Sequence, residues 1–165
     1  MALKPLCFAL IACLGSGHAV AADEWVVGLG GADLLDKVRK EAVALLLEYH
    51  SAPFHSQSWA EFSWMGTAKF DTTNNHFVGA GVHAFVPLSN DHLFMEASFA
   101  VGGYHQGTFI GKEADDVLFR SSLGGGIKLE SGNRISLSID HLLDHNLKNQ
   151  NPGKESIMLR YTWAF

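Results

Sequence analysis

The side chains of this chain that could do chemistry crowd into one stretch near its carboxyl end, 139–155, which holds Asp140, His141, Asp144, His145 and Glu155. Between His141 and Glu155 lies Asn151-Pro152-Gly153, a turn-forming sequence, so the two sit on opposite arms of an expected hairpin. A histidine polarised by a carboxylate is a general base, able to activate a hydroxyl or a water molecule. His141 and His145 do not make a metal pair: four residues along a strand separate them by about 13 Å, beyond shared ligation. No metal ion or cofactor is expected from these residues.

The elements that must position these groups are legible from the chain's end backwards. Phe165, Trp163, Tyr161, Leu159 and Ile157 are large and apolar, with Ala164, Thr162, Arg160 and Met158 between them. Apart from Met158, this alternation means a strand with two unlike faces. A strand that ends flush on a terminal phenylalanine, with aromatics on its apolar face, resembles the closing strand and assembly signal of bacterial outer-membrane β-barrels. The resemblance makes lipid the solvent of that face and the outer-membrane barrel assembly machinery an expected partner.

The same period-two test finds strands at 24–31, 38–49, 58–70, 76–86, 93–104, 117–129, 134–145 and 155–165. Eight strands suit a small closed barrel, which must be even-numbered when built from antiparallel hairpins in a single bacterial chain. The expected fold is all-β, an eight-stranded antiparallel transmembrane β-barrel. Polar stretches at 71–75, 89–91 and 131–133 carry turn chemistry. One segment has a rival reading: Leu34, Leu35, Val38, Ala42, Leu45 and Leu46 also form a helical stripe, with Lys37, Arg39, Lys40 and Glu41 as its solvated face. A helix there would leave seven strands, so closure argues for a strand.

Where the alternation is clean, Val43, Leu45, Leu47, Tyr49, Phe62, Trp64, Phe70, Val78, Val82 and Val86 face outward. So do Leu93, Met95, Phe99, Val101, Phe119, Leu123, Ile127 and Leu129. Between them lie Glu61, Ser63, Lys69, Glu96, Ser98, Arg120, Ser122, Gly124, Gly126, Lys128, Asp140 and Arg160. An eight-stranded barrel is only wide enough to be filled by side chains, so small residues mixed with opposite charges imply a plugged interior and not a transport channel. His50, His55, His76, His83, His92 and His105 show no ligand spacing and read as loop or barrel-surface residues.

The amino terminus points to the same compartment. Lys4 precedes an apolar run over 6–14 that is too short to span a bilayer, and Ala19-Val20-Ala21-Ala22 supplies small residues before Asp23. Residues 1–22 therefore read as a secretory signal peptide, with 23–165 as one outer-membrane barrel domain. Leu10-Ile11-Ala12-Cys13 offers the small residue before cysteine that lipidation needs, but behind an apolar run unusually short for a lipoprotein signal. Both cysteines, Cys7 and Cys13, fall inside the signal, so the mature domain would have no disulfide, thiolate zinc site or cysteine nucleophile. A net charge of −5 gives no reason to expect a nucleic acid partner.

The stretch 139–155 resembles the carboxyl-terminal motif of the outer-membrane lipid A 3-O-deacylase family. That motif runs His-x-Ser-Asn, six residues, Asn-Pro-Gly or a close variant, then x-Glu, followed by an alternating strand ending on an aromatic. His141, Asn151, Gly153 and Glu155 match without a gap; upstream, Gly124 to Lys128 and Glu96 to Gly103 fit the family's general strand pattern. The resemblance implies an esterase of the Gram-negative outer membrane, acting on the acyl chain at the 3-position of lipid A in the outer leaflet. Its roles would be His141 as base and Glu155 as the group that orients it.

Two positions depart from the family. Its serine nucleophile falls on Leu143, which has no nucleophilic atom. The neighbouring asparagine, which would help hold the oxyanion, falls on Asp144, whose carboxylate would repel the developing charge. Parity still places His141, Leu143 and Glu155 on the lipid-facing side at the extracellular end. Three readings follow: a deacylase with altered machinery, in which His141 and Glu155 activate water directly; an inactive relative that binds lipid A or stabilises the membrane; and a small adhesin-like or structural barrel. Position 143 separates the first two, and the paired match of His141 and Glu155 separates both from the third. A homodimer is left open.

Overall fold

The computed structural model describes residues 22–32, 42–88, 92–105, 117–144 and 154–165. They form β1 (Glu24–Ala32), β2 (Ala42–His50), β3 (His55–Gln57), β4 (Ala60–Asp71), β5 (His76–Pro87), β6 (Leu93–His105), β7 (Val117–Lys128), β8 (Arg134–Asp144) and β9 (Lys154–Ala164). Every pairing is antiparallel, in the order β2-β1-β9-β8-β7-β6-β5-β4, and β2 returns to pair with β4. The sheet thus closes on itself as an eight-stranded barrel, which removes the unpaired edges that an open sheet would expose.

Each of the eight expected strands is present, with ends displaced by a few residues. The rival helix does not form over the part that is described. Ala42–His50 is strand, with Ala44 and Leu46 buried while Val43, Leu45 and Leu47 are exposed to the outside. That period of two is the pleat of a sheet. Residues 34–41, which carry the rest of both readings, lie outside the described residues.

The short β3 was not legible in advance. It pairs His55 with Phe62, Ser56 with Glu61 and Gln57 with Ala60, which makes a small hairpin beyond the point where β4 leaves β2. Phe54 stacks on Trp64 at 4.6 Å and Trp59 meets Phe62 edge-on at 5.9 Å. These rings, with Trp25 stacked on Phe165 at 6.4 Å, sit at the end that carries both chain termini, where an interfacial girdle of aromatics belongs.

The interior is filled by charge. Glu48 is bonded by both Arg120 and Arg160. Arg120 also donates through Nη2 to Asp140 at 2.7 Å, and Arg160 reaches Glu96 at 3.2 Å. Lys69 lies 4.0 Å from Asp140, and Ser136 donates to Glu96 at 2.7 Å. All of these charged groups are buried, so their mutual pairing offsets the cost of removing them from water. Close strand approach needs glycine in places: a Cβ at Gly126 would lie 2.0 Å from the Ile135 carbonyl oxygen.

Two inward assignments and two surface assignments need correction. Glu61 and Lys128 lie at the rim and are exposed, because their strands run past the end of the closed sheet. His50 and His83, read as surface or loop residues, are buried inside, their rings stacked at 4.0 Å. His50 contacts Glu48 at 3.2 Å and His83 contacts Glu96 at 3.4 Å, so the carboxylates of the plug hold both rings. His55, His92 and His105 are exposed, and His76 is half-buried.

Candidate active site

The register of β8 against β9 sets His141 directly opposite Glu155. Both side chains alternate with buried neighbours, Asp140 and Leu142 beside His141 and Ser156 beside Glu155, so both face outward. His141 Nδ1 lies 3.7 Å from Glu155 Oε1, with the side chains 34% and 41% exposed. This is an ion-pair separation, somewhat long for a hydrogen bond. The hairpin brings together two residues that are fourteen positions apart because a pleat of period two keeps each on the same face as the apolar residues of its own strand.

Height in the barrel follows from topology. Both termini lie at one end, as in periplasmic-ended barrels, so the β8–β9 connection is at the extracellular end. His141 is three residues from the end of β8, about 10 Å along the strand. Below it on the outside lie Ile139, Leu137, Ile157 and Leu159, all exposed, which form part of an apolar band around the barrel. The His–Glu pair therefore sits where this band meets the extracellular rim.

Leu143, at the position of the motif's nucleophile, is 40% exposed on the same face and pairs with Phe119 of β7. Asp144 ends β8 opposite Leu118. His145, Asn151 and Gly153 lie outside the described residues. Among the described residues no group of His, Asp and Glu is placed to hold a metal ion.

Sequence reasoning missed what fixes the site from inside. Asp140 precedes His141 but points inward, where Arg120 of β7 grips it through Nε at 3.1 Å and Nη2 at 2.7 Å. That clamp ties β7 to β8 immediately behind His141. It also engages Asp140 so that Glu155, not Asp140, is the carboxylate left for the imidazole. Glu48, which completes the grip on Arg120, stood between outward Leu47 and Tyr49 and could have been found by extending the parity of β2.

The fold and site define a class: a small closed barrel with an apolar outer band and a lipid-facing histidine–carboxylate pair at its extracellular rim. The model of the Lipid A 3-O-deacylase (PagL) family matches residues 43–164, and the chain belongs to that family. Among solved structures, the chain is similar to the outer membrane enzyme PagL, with a TM-score of 0.63 and 19% identity, over 86% of this chain and 99% of that one. A de novo designed transmembrane β-barrel matches with a TM-score of 0.56 and 8% identity, over 90% of this chain and 98% of the other. The Yersinia pestis outer membrane protein Ail matches with a TM-score of 0.50 and 10% identity, over 87% and 99%. At these identities the likenesses establish the barrel fold alone. A search of curated proteins finds no match.

Proposed function

We infer that this chain is an outer-membrane lipid A 3-O-deacylase, hydrolysing the ester that links a fatty acyl chain to the 3-position of lipid A. Membership of the family carries the reading. The outward His141–Glu155 pair, at the rim where outer-leaflet headgroups meet acyl chains, supports it. His141 acts as general base, and Glu155 orients the imidazole and stabilises its protonated form. Residues 1–22 serve as a signal peptide removed on export, and the Phe165-ended strand serves as the signal for the barrel assembly machinery. The apolar band around the barrel is compatible with a homodimer, which crosslinking in lipid vesicles would reveal.

Leu143 favours a second reading, a barrel that binds lipid A without cleaving it. The test is release of a 3-hydroxy fatty acid from purified lipid A by the refolded protein and by His141→Ala. The deacylase reading expects release by the wild type and a loss of at least about 100-fold in the variant, the usual scale for a general base. Binding of lipid A without release would establish the second reading instead.

A further inference from the structure

We propose that Ser121 of β7 is the nucleophile of this barrel, in place of the hydroxyl that position 143 lacks. The proposal rests on the deacylase reading for its substrate, though not for its geometry. Ser121 is the direct cross-strand partner of His141, as Glu155 is on the other side. The three residues form a row across β7, β8 and β9. Ser121 is flanked by buried Arg120 and Ser122, so its side chain faces outward with the other two.

The composition of this face gives the row its meaning. Outward positions on β7 are Val117, Phe119, Ser121, Leu123, Gly125 and Ile127; on β8 they are Ile135, Leu137, Ile139, His141 and Leu143. On β9 they are Glu155, Ile157, Leu159, Tyr161 and Trp163. Apart from Tyr161 and Trp163, at the opposite, aromatic rim, the polar residues among them are Ser121, His141 and Glu155. A polar side chain facing lipid is costly unless partnered. Three such residues in one row, on an otherwise apolar surface, form a constellation that packing does not require.

Distance also favours position 121. Directly opposed residues have Cβ atoms about 4.5–5.5 Å apart. Position 143 is two residues along the same strand from His141, about 6.6 Å away. Glu155 faces Nδ1 of His141, which leaves Nε2 as the nitrogen to receive a proton. Serine, histidine and carboxylate in this order are the parts of an acyl-transfer triad, recognised by roles and not by sequence position. Behind the row, the Arg120–Asp140 clamp holds the register of β7 on β8. Beside it, Phe99 opposes Ser121 from β6 and stacks on Phe119 at 5.8 Å, an apolar surface on which a fatty acyl chain can lie.

In the reaction, Ser121 Oγ attacks the acyl carbonyl carbon while its proton passes to His141 Nε2. The bond from that carbon to the sugar's 3-oxygen breaks, and the departing oxygen takes the proton from His141, leaving an acyl ester on Ser121. Water then attacks the acyl carbon and gives a proton to His141. The bond to Ser121 breaks, Ser121 Oγ recovers the proton, and the free fatty acid leaves.

The test uses the full barrel in detergent micelles, with retention of heat-modifiable mobility on a gel as the control for folding. Ser121→Ala should lower fatty acid release from lipid A at least 100-fold, and Ser121→Ala with Leu143→Ser should recover a substantial part of it. A long-chain alkyl fluorophosphonate should add its mass to the peptide that contains Ser121, and His141→Ala should prevent that labelling. Folded Ser121→Ala with release within twofold of wild type would overturn the proposal, as would an adduct on another residue or no adduct at all. If wild type releases nothing from lipid A yet Ser121 is labelled in a His141-dependent way, the nucleophile stands and the lipid A reading falls. If wild type is inactive and unlabelled but Leu143→Ser hydrolyses lipid A, the family reading stands and Ser121 is excluded.

Discussion

At the scale of the residue, the site depends on a histidine whose surroundings are set by three strands. Glu155 is partly exposed and 3.7 Å from the imidazole, and in the proposed mechanism it contributes orientation and charge stabilisation and not burial. Glu155→Gln keeps the shape and removes the charge. It should lower release of 3-hydroxy fatty acid by roughly 10-fold or more, less than the loss in His141→Ala, since removing the base costs about 10²–10⁴-fold. Asp144 follows the nucleophile position of the family motif, and in the proposed mechanism a carboxylate at that position would oppose an oxyanion. Asp144→Asn should raise the turnover of lipid A by roughly 10-fold, below the roughly 10²–10³-fold that a single oxyanion donor is worth. A lower rate in that variant would assign Asp144 a different part in the site.

At the scale of the element, the closing strand does two things. β9 joins β1 through Trp25 opposite Trp163, and it carries Glu155 to His141 at its other end. The terminal Phe165 amide donates to the Asp23 carbonyl at 3.1 Å, and its ring stacks on Trp25. Deleting Phe165 should lower the amount of heat-modifiable barrel recovered from outer membranes while leaving the refolded protein's activity nearly unchanged. The first part follows from loss of the proposed assembly signal. The second follows because Phe165 lies at the end of β9 opposite to the site. Equal yields from the shortened and full chains would remove the assembly role from Phe165.

At the scale of the whole molecule, the plug is the central feature. Glu48 holds two buried guanidinium groups, so its loss leaves uncompensated buried charge. Glu48→Ala should lower the free energy of unfolding by about 3–5 kcal/mol, the usual effect of breaking one side of a buried ion pair. Urea titration of the barrel in micelles, followed by tryptophan fluorescence, measures this. Activity should fall with it, since Glu48 completes the grip on Arg120, which in turn holds Asp140 behind the site. A variant as stable as wild type would show that the plug relaxes around the missing carboxylate.

Sequence periodicity alone determined the eight barrel strands, the outward apolar band, the inward charges at 96, 120, 140 and 160, and the shared outward face of His141 and Glu155. A pleat has a period of two, and a barrel of eight strands has a lipid side and a filled side, so facing follows from counting. Counting within a strand says nothing about which residues meet across strands. That was decided by register, which closure of the sheet fixes: β7 on β8 sets Ser121 against His141, and β8 on β9 sets Glu155 on the other side. The same closure turned His50 and His83 into the stacked heart of the plug and bound Glu48 to arginines 72 and 112 positions away. Contacts of that sequence separation are made by the curvature of the whole barrel, and no local pattern of residues encodes them.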